Sequence, residues 1–492
     1  MAVVMAIDAG TTGVRSFAID ESGRRVGSSY REFAQYFPAP GWVEHDPLEI
    51  WSAVQSTLAE LTSALDEPVA AIGITDQRET TVVWDRSTGR PLAPAIVWQD
   101  RRTAGRCEEL EESGVLPLIR DRTGLVLDPY FSATKLEWLL GPGGVEAGAD
   151  LAFGTVDSWL AWCLTAGQVH VTDTSNASRT LLFDIRRLRW DEELLDVFGV
   201  PASALPEIRP SSGRIGVTGS ECAAGSGIPI SGVAGDQQAA LFGQACFEPG
   251  MSKNTYGTGS FVLMNTGHSC PEPAEGLLTT VAWTIPSNAR QVTNYALEGA
   301  IFVTGAAIQW LRDGLKMIDS AAETGPLAES CPDTEGVYFV PAFTGLGSPH
   351  WDPYARGTVV GITRGVGRAH LARAVVESMA YQTRDVVEAM STAAARPIGE
   401  LRVDGGASVM DLLLQIQADQ LGVPVTRPLH QETTAMGAAY LAGLAEGVWT
   451  LDDIAANWQA DLRVEPDPDE GTEERYRQWQ RAVQRSRDWA RR

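Results

Sequence analysis

The architecture is indicated by a stretch near the N-terminus, Val3-Val-Met-Ala-Ile-Asp8-Ala-Gly-Thr-Thr-Gly13-Val-Arg-Ser-Phe-Ala-Ile19. Two apolar runs flank a turn that contains two glycines and two threonines, and this pattern predicts strand, turn and strand. Because glycine has no Cβ, backbone N–H groups and hydroxyls can converge on one spot in such a turn. Alone, the turn is most often a simple hairpin. Asp8, however, places a carboxylate at the strand end, which is a typical position for Mg²⁺ or its water shell.

Two more glycine turns follow predicted strands later in the chain. Gly257-Thr-Gly259 separates the predicted strands Lys253–Tyr256 and Phe261–Met264. Asp404-Gly-Gly406 follows the run Leu401–Val403. Three such turns together are typical of a polyphosphate site. The sequence contains neither a Walker loop nor a dinucleotide fingerprint, so the common glycine-rich nucleotide motifs do not explain them.

The spacing of the turns predicts two domains. The two Gly/Thr hairpins lie about half a chain apart, which suggests two related halves. Glu248-Pro-Gly250 interrupts the helix that begins at Asp236, so we predict an N-terminal domain over residues 1–245 and a C-terminal domain over residues 246–492. The clearest helix begins at Pro47, with Asp46 as its N-cap and Glu49 at capping-box spacing. The alternation of strands and helices predicts the α/β class.

The composition excludes several classes of function. The 492 residues include 63 acidic and 39 basic side chains, a formal charge of −24, so we expect neither nucleic acid nor an anionic membrane surface as a partner. No apolar run reaches the ~18 residues of a membrane span, and the N-terminal segment lacks the basic residues of a signal peptide. The six cysteines are widely spaced, which favours free thiols in a reducing compartment. We therefore expect a cytoplasmic protein without membrane insertion.

Several polar and aromatic residues are candidates for a site, and each has a structural alternative. Asp236 opens a helix, where its commoner role is an N-cap and the alternative is a general base at the mouth of a cleft. Arg78-Glu79 is either a solvated ion pair, the commoner role, or a donor and an acceptor that grip vicinal hydroxyls. Trp98, Tyr130 and Phe261 suit a hydrophobic core or the walls of a polyol pocket.

Longer segments make the chain recognisable. In the first half they are Gly41-Trp-Val-Glu-His-Asp-Pro47, Gly73-Ile-Thr-Asp-Gln-Arg-Glu-Thr80, Ile96-Val-Trp-Gln-Asp-Arg-Arg-Thr103, Asp128-Pro-Tyr-Phe-Ser132 and Gly235-Asp-Gln-Gln-Ala-Ala-Leu-Phe-Gly243. In the second half they are Asn254-Thr-Tyr-Gly-Thr-Gly259, Gly305-Ala-Ala-Ile-Gln-Trp-Leu311, Phe343-Thr-Gly-Leu-Gly-Ser-Pro349 and Arg402-Val-Asp-Gly-Gly-Ala407. With these segments the chain resembles the FGGY carbohydrate kinase family over nearly its whole length. The resemblance implies the actin/hexokinase-like fold, with two ribonuclease-H-like α/β domains around a nucleotide cleft.

The resemblance also implies an activity and a set of site residues. The reaction would be the ATP-dependent phosphorylation of glycerol to sn-glycerol 3-phosphate in glycerol catabolism, with Mg²⁺ as the metal. Carried over by position, Asp236 is the catalytic general base, and the substrate-binding residues are Arg78, Glu79, Trp98, Tyr130, Asp236, Gln237 and Phe261. The nucleotide-binding residues are Thr11, Thr12, Gly13, Arg15, Thr258, Gly305, Gln309, Gly406 and Met410, and Asp8 serves the metal. Several positions depart from the pattern of the family: Ala9 replaces a common glutamine, Gly13-Val14 a common serine pair and Met410 a common asparagine.

Two alternatives stay open at this point. A sister kinase of the family would act on another polyol or a ketose, such as erythritol or xylulose, although the bulky Trp98 and Phe261 favour a three-carbon pocket. A nucleotide-binding regulatory module on the same fold would bind without turnover, which the altered first turn allows. We also expect the protein to form a homo-oligomer, a dimer or a tetramer.

Overall fold

A computed structural model of the chain describes residues 2–287 and 290–491, so the outermost residues of both predicted domains, 1 and 492, lie outside the described residues. The strands are β1 (Val3–Ala9), β2 (Gly13–Asp20), β3 (Arg25–Glu32), β4 (Glu44–His45), β5 (Val69–Asp76), β6 (Val82–Asp85), β7 (Ala95–Ile96), β8 (Leu151–Gly154), β9 (Val171–Asp173), β10 (Phe183–Asp184), β11 (Arg189–Trp190), β12 (Glu207–Arg209), β13 (Ser212–Val217), β14 (Pro229–Gly235), β15 (Ser252–Tyr256), β16 (Ser260–Gly267), β17 (Leu278–Ser287), β18 (Arg290–Ile301), β19 (Tyr338–Val340), β20 (Thr358–Val360), β21 (Leu401–Asp404), β22 (Val425–Pro428) and β23 (Ala460–Val464). The α-helices are α1 (Pro47–Ser63), α2 (Ala104–Glu112), α3 (Leu116–Thr123), α4 (Ser132–Leu140), α5 (Val156–Leu164), α6 (Thr174–Ala177), α7 (Glu192–Phe198), α8 (Asp236–Gly243), α9 (Gly305–Gln309), α10 (Thr324–Glu329), α11 (Arg368–Ala393), α12 (Asp411–Leu421), α13 (Thr433–Ala445), α14 (Leu451–Asn457) and α15 (Thr472–Ser486). The α/β class is confirmed.

Two large sheets organise the chain, and they share one topology. The first has the strand order β13-β14-β5-β1-β2-β3, and the second has the order β17-β18-β16-β15-β21-β22-β23. In each sheet a central strand pairs antiparallel with its hairpin partner and parallel with the strand on its other side, β1 with β2 and β5, and β15 with β16 and β21. A second parallel strand and then an antiparallel strand follow in both sheets, β14 and β13 in the first, β22 and β23 in the second. This repeat supports the expectation of two related halves.

Helix α1 follows its sequence signals except for one. The carboxylate of Asp46 accepts the backbone N–H of Leu48 at 2.8 Å, and Pro47 is the first helical residue, as predicted. The capping box is wrong, because Glu49 turns away from the N-cap. Its carboxylate accepts the backbone N–H of Ala34 at 3.2 Å and the hydroxyl of Tyr36 at 2.7 Å. The residue therefore ties the helix to the segment before it rather than to its own first turn.

Helix α13 belongs to the second half in sequence but packs on the first sheet, against β1, β5, β14 and α8. The approach is so close that glycine is needed on the sheet. A Cβ at Gly73 would lie 2.1 Å from the carbonyl oxygen of Ala438, and one at Gly232 would lie 2.5 Å from the backbone nitrogen of Ala442. The division between residues 245 and 246 stays a prediction, and the first sheet takes part of its cover from the chain beyond that point.

The parallel strands place the polar segments at one edge of the first sheet. Ala9, Asp76 and Gly235 are register partners at the carboxyl ends of β1, β5 and β14. Side chains next to these positions therefore share the crevice outside the strand ends, where ligands bind in open α/β sheets. The second sheet has a matching edge, where Thr255 of β15 lies opposite Asp404 of β21.

Among the residues that the structure describes, every helix is too short or too polar to span a lipid bilayer. The six cysteines are free thiols, as expected.

Candidate active site

Asp236 lies at the carboxyl edge of the first sheet and is not a helix cap. The N-cap of α8 is Gly235, so Asp236 is the first helical residue and the N-cap interpretation is wrong. Its carboxylate accepts the backbone N–H of Gln237 at 2.7 Å and lies 3.1 Å from Nε of Arg78. The Asp236 side chain is 30% exposed, whereas that of Arg78 is 1% exposed. A carboxylate that is open to the crevice is thus fixed by a cation from behind.

The Arg78-Glu79 pair is buried, so the interpretation as a solvated ion pair is wrong. Nη2 of Arg78 donates to the hydroxyl of Tyr130 at 3.1 Å, and Nε of Arg179 donates to Glu79 at 2.7 Å. Burial raises the pKa of the Glu79 carboxyl, and the charges of Arg78 and Arg179 oppose that rise. Glu79 has a φ of 62°, a left-handed conformation that costs a non-glycine residue of order 1–3 kcal/mol and is typical of functional sites.

Three charged side chains of this site escaped the sequence reasoning: Arg179, Lys253 and Glu298. The carboxylate of Glu298 accepts hydrogen bonds from both Arg78 and Arg179. Nζ of Lys253 donates to Oε1 of Gln237 at 2.5 Å. A sequence signal does exist for Glu298, because it is the single charge in the run Ala296-Leu-Glu-Gly-Ala300, and a charge in a buried strand needs a partner.

The three predicted aromatic residues form one corner beside these charges. Trp98 packs edge-on against Tyr130 with ring centroids 5.6 Å apart, and against Phe261 at 6.3 Å. Tyr130 is buried, while Trp98 and Phe261 are half-buried. Trp98 and Tyr130 come from the first half and Phe261 from the second hairpin, so the corner joins the two halves. The rings serve both as packing and as an apolar wall.

The first glycine turn is tied to this corner. Nε1 of Trp98 donates to the hydroxyl of Thr11 at 3.0 Å, and Thr12 is exposed. A Cβ at Gly13 would lie 2.5 Å from the carbonyl oxygen of Arg31 and 2.6 Å from the hydroxyl of Tyr30. The Tyr30 hydroxyl is also 3.4 Å from that of Thr12. The departure from serine at Gly13 therefore accompanies a tyrosine hydroxyl that fills the vacated space.

Asp8 and Arg15 lie opposite each other in the β1–β2 ladder. Burial and the charge of Asp236 raise the pKa of Asp8 to about 7, while the charge of Arg15 opposes the rise. The Arg15 guanidinium is 3.5 Å from the carboxylate of Glu432. Within residues 2–287 and 290–491, no group of three or more His, Cys, Asp or Glu side chains is arranged for a metal ion. Mg²⁺ is commonly held by one or two carboxylates together with substrate phosphates and water, so a single carboxylate at Asp8 fits it.

The second and third turns lie together in the second half. The carbonyl of Thr258 accepts the backbone N–H of Ala306 at the start of α9, and a Cβ at Gly305 would lie 2.5 Å from the carbonyl oxygen of Gly257. In the third turn, a Cβ at Gly405 would lie 2.4 Å from the carbonyl oxygen of Tyr256. The two turns therefore touch through their backbones.

The surroundings of these turns are open. Thr258 and Gln309 are exposed, and no atom lies within 4 Å of a Cβ built at Gly406. Met410 is half-buried, and its γ carbon would lie 3.6 Å from a Cβ built at Gly325 in α10. Backbone without side chains next to open space is what a nucleotide needs in order to approach the chain.

The geometry can be compared with known proteins. Residues 3–243 match the N-terminal domain of the FGGY family of carbohydrate kinases, and residues 252–446 match its C-terminal domain. The chain belongs to the FGGY family of carbohydrate kinases.

Relatives within the FGGY family share the full length of the chain. A glycerol kinase from Carboxydothermus hydrogenoformans is 57% identical over 99% of this chain and 98% of the relative. The crystal structure of Plasmodium falciparum glycerol kinase with ADP superimposes with a TM-score of 0.92, at 36% identity over 99% of this chain and 98% of that one. A ligand-bound xylulose kinase from Lactobacillus acidophilus has a TM-score of 0.85 at 23% identity over 99% and 97% of the two chains, which shows the fold alone. The fold is the actin/hexokinase-like fold of this family, as predicted.

Proposed function

We propose that the chain is an ATP-dependent kinase that transfers a phosphoryl group to a terminal hydroxyl of glycerol, giving sn-glycerol 3-phosphate and ADP. The observation that carries the proposal is the Asp236 carboxylate, which is open to the crevice, 3.1 Å from the buried Arg78 and beside the corner formed by Trp98 and Phe261. We take the bulky rings of Trp98 and Phe261 to favour a three-carbon acceptor. The full-length identity to glycerol kinases supports the same substrate.

In the proposed reaction Asp236 is the general base. Its carboxylate accepts the proton of the attacking hydroxyl as the new O–P bond forms and the bond to the leaving ADP breaks. Arg78 donates to a glycerol hydroxyl while Glu79 accepts from its neighbour, and Tyr130 and Gln237 complete the polar contacts. Trp98 and Phe261 pack against the carbon chain. Phosphoryl transfer depends mostly on such positioning and on charge neutralisation.

The nucleotide would lie across the glycine turns. We propose that Thr11, Thr12, Gly13, Arg15 and Thr258 face the phosphates. Gly305, Gln309, Gly406 and Met410 would line the rest of the site. Asp8 is the proposed protein ligand of Mg²⁺, which neutralises phosphate charge when bound. Approach of the two halves would exclude water, which competes with glycerol for the phosphoryl group.

A substrate panel tests this function. ADP release is measured with glycerol, erythritol, xylulose and no acceptor, and we expect kcat/KM for glycerol to exceed that for the others by at least ~100-fold. Preference for another acceptor would assign the chain to a sister activity of the family. Nucleotide binding without ADP release for any acceptor would support the regulatory module instead. We further propose a cytoplasmic location, where ATP is available, and a homo-oligomer, which sedimentation of the purified protein tests.

A further inference from the structure

Glu298 brings a charge from the second half into the polyol site of the first. It lies in β18, is fully buried, and pairs in register with Leu263 and Leu278 of the flanking strands. Its two oxygens accept hydrogen bonds from Nη1 and Nη2 of Arg78, at 2.5 and 3.2 Å. Oε1 also accepts from Nη2 of Arg179 at 2.9 Å. Two guanidinium groups of the first half thus converge on one carboxylate of the second.

The charges of this cluster balance, but burial alone does not explain why they are there. Arg78 and Arg179 face Glu79 and Glu298, and all four side chains are at most 1% exposed. A buried ion pair contributes little net stability compared with apolar packing, whereas loss of one partner leaves an uncompensated charge. Its best attested benefit is a fixed geometry. A carboxylate that binds both Nη atoms fixes the plane of a guanidinium.

The fixed plane matters because of what the rest of Arg78 does. With both Nη atoms on Glu298, Nε lies 3.1 Å from Oδ1 of Asp236. Nη2 also reaches the Tyr130 hydroxyl at 3.1 Å. Rotation of the guanidinium would move both contacts at once. The charges of Arg179 and Arg78 lower the pKa of Glu298 against the effect of burial, so this carboxylate is ionised at neutral pH.

Lys253 holds a second predicted glycerol contact, Gln237, in the same way as Glu298 holds Arg78. It lies in β15 of the second half and is fully buried. Its Nζ donates to Oε1 of Gln237 at 2.5 Å and to the hydroxyl of Thr255 at 2.9 Å. With the Gln237 oxygen engaged, its amide NH₂ group is left to donate toward the crevice. Each of two predicted glycerol contacts is therefore held by a charge from the opposite half.

We propose that Glu298 and Lys253 are positioning residues, which hold Arg78 and Gln237 from the second half so that the polyol site is complete only when the two halves are docked. This inference rests on the proposed function, because it takes Arg78 and Gln237 as glycerol contacts. Neither Glu298 nor Lys253 needs to touch the substrate. Their effect is on the affinity for the polyol rather than on the nucleotide.

The test compares Glu298→Gln with the shorter but charged Glu298→Asp. Glutamine removes one of the two buried counter-charges of Arg78 and Arg179 and leaves only Glu79, so we expect KM for glycerol to rise on the order of 10- to 100-fold while KM for ATP changes less than about 3-fold. Glu298→Asp should recover part of the glycerol affinity. Glu377→Gln is the matched control: Glu377 is also buried in the second half, 3.0 Å from Arg373, but it lies in α11, and both constants should stay at wild-type values.

Calorimetric titration of glycerol, with a thermal unfolding scan of each variant, separates the outcomes. If the wild type does not bind glycerol, the proposed function fails. If the wild type binds and folded Glu298→Gln binds equally well, or if both KM values rise together, the positioning role is overturned. Should Glu298→Gln not fold, Lys253→Gln carries the test, because it removes the charge and replaces the ammonium group with a shorter amide donor. Unchanged glycerol affinity in that variant would also overturn the inference.

Discussion

The two sheets share one strand order, and their central strands β1 and β15 both lead into a glycine turn, but the parallel strands β5 and β21 beside them carry different chemistry at their ends. In the first sheet, β5 and β14 lead into Arg78 and Asp236, so charged side chains fill the crevice. In the second, β21 leads into Gly405-Gly406 beside the Gly257-Thr-Gly259 turn, so bare backbone faces the same crevice. A proton acceptor needs a side chain, whereas a polyphosphate needs N–H groups without a Cβ in the way. One scaffold has therefore been adapted to the two halves of a transfer reaction.

The strands that pair with the two hairpins, β3 and β18, differ as well. Strand β3 of the first sheet has eight residues and is mostly exposed, whereas β18 of the second has twelve and its last eight are buried. The longer strand carries Glu298 into the site of the other half. The second sheet thus supplies a charge to the active edge of the first sheet, whereas β3 contacts the second half through Arg25, whose guanidinium lies 3.4 Å from the carboxylate of Glu432.

Replacement of Asp236 by Asn tests the charged edge of the first sheet and should have the largest effect on activity. The amide keeps the shape but cannot accept a proton, so we expect kcat to fall by about 10³-fold while glycerol binding persists. The measurement is steady-state ADP release together with calorimetric titration of glycerol.

Asp46→Asn is the matched control, because it also lies at a helix start but acts as an N-cap, and asparagine caps equally well. Its activity should equal that of the wild type. Retention of most of the turnover number by Asp236→Asn would refute the assignment of the base.

The adjacent glycines of the third turn allow a paired test of the second sheet. A Cβ at Gly405 would lie 2.4 Å from the carbonyl oxygen of Tyr256, so Gly405→Ala should lower the free energy of unfolding by about 3 kcal/mol. A Cβ at Gly406 meets no atom within 4 Å, so Gly406→Ala should fold normally. Because the methyl enters the proposed nucleotide space, KM for ATP should rise roughly 10-fold and KM for glycerol should not. Equal unfolding curves for the two variants would contradict the geometry.

A half-buried acid outside the cleft, Asp385, makes the stability of the second half depend on pH. Burial raises the pKa of Asp385 in α11 to about 7, although the Tyr476 hydroxyl and the Trp479 indole donate hydrogen bonds to it at 2.6 and 2.8 Å. The folded state then binds a proton that the unfolded state has already lost above pH ~4, so this group's stabilising effect falls as pH rises from ~4 towards 7. Between pH 5 and pH 8, the free energy of unfolding of Asp385→Asn, measured in urea, should rise by about 2 kcal/mol relative to that of the wild type.

The exposed Asp66→Asn serves as its control and should follow the wild type at both pH values. In the first half the sign is reversed for His170, because burial lowers its pKa to about 4 and the neutral ring loses its stabilising effect as pH falls below ~6.5. His170→Gln should therefore lose less free energy of unfolding than the wild type when the pH falls from 7 to 5. A gain for Asp385→Asn that does not depend on pH would exclude titration of this carboxyl.

The smallest effect is expected at Tyr30. Loss of its hydroxyl in Tyr30→Phe removes one polar group beside Thr12, so KM for ATP should rise about 3-fold and KM for glycerol should stay constant. Tyr36→Phe, which loses a hydroxyl bonded to Glu49 away from the turn, is the control. An unchanged KM for ATP in Tyr30→Phe would mean that the first turn works without a substitute for the missing serine.

Local patterns predicted the elements that carry the site. The hairpin of β1 and β2, the hairpin of β15 and β16 and the capped start of α1 follow from turn residues and apolar runs that are close in sequence. The candidates Arg78 and Asp236 do meet at one edge, because the parallel strands β5 and β14 bring their carboxyl ends together, and Tyr130 joins them from the segment before α4.

Long-range partners could not be read from the chain. Arg78 and Glu298 are 220 positions apart, and nothing near either residue specifies the other. The N-cap interpretation of Asp236 and the capping box at Glu49 failed for a related reason. Both rest on spacing within one turn of helix, whereas a contact with Arg78 in one case and with Ala34 and Tyr36 in the other decides where the side chain points.

Because α13 of the second half covers the first sheet, the two halves must stay matched in sequence as they evolve. An exchange of gene segments at residue 245 would place a helix from another protein on the first sheet. Gly73 and Gly232 pack closely only against a helix whose backbone approaches as near as that of Ala438 and Ala442. Recombination between distant relatives is therefore expected to succeed only when the helix travels with the sheet on which it rests. Although the two halves share one strand order, they are not interchangeable modules.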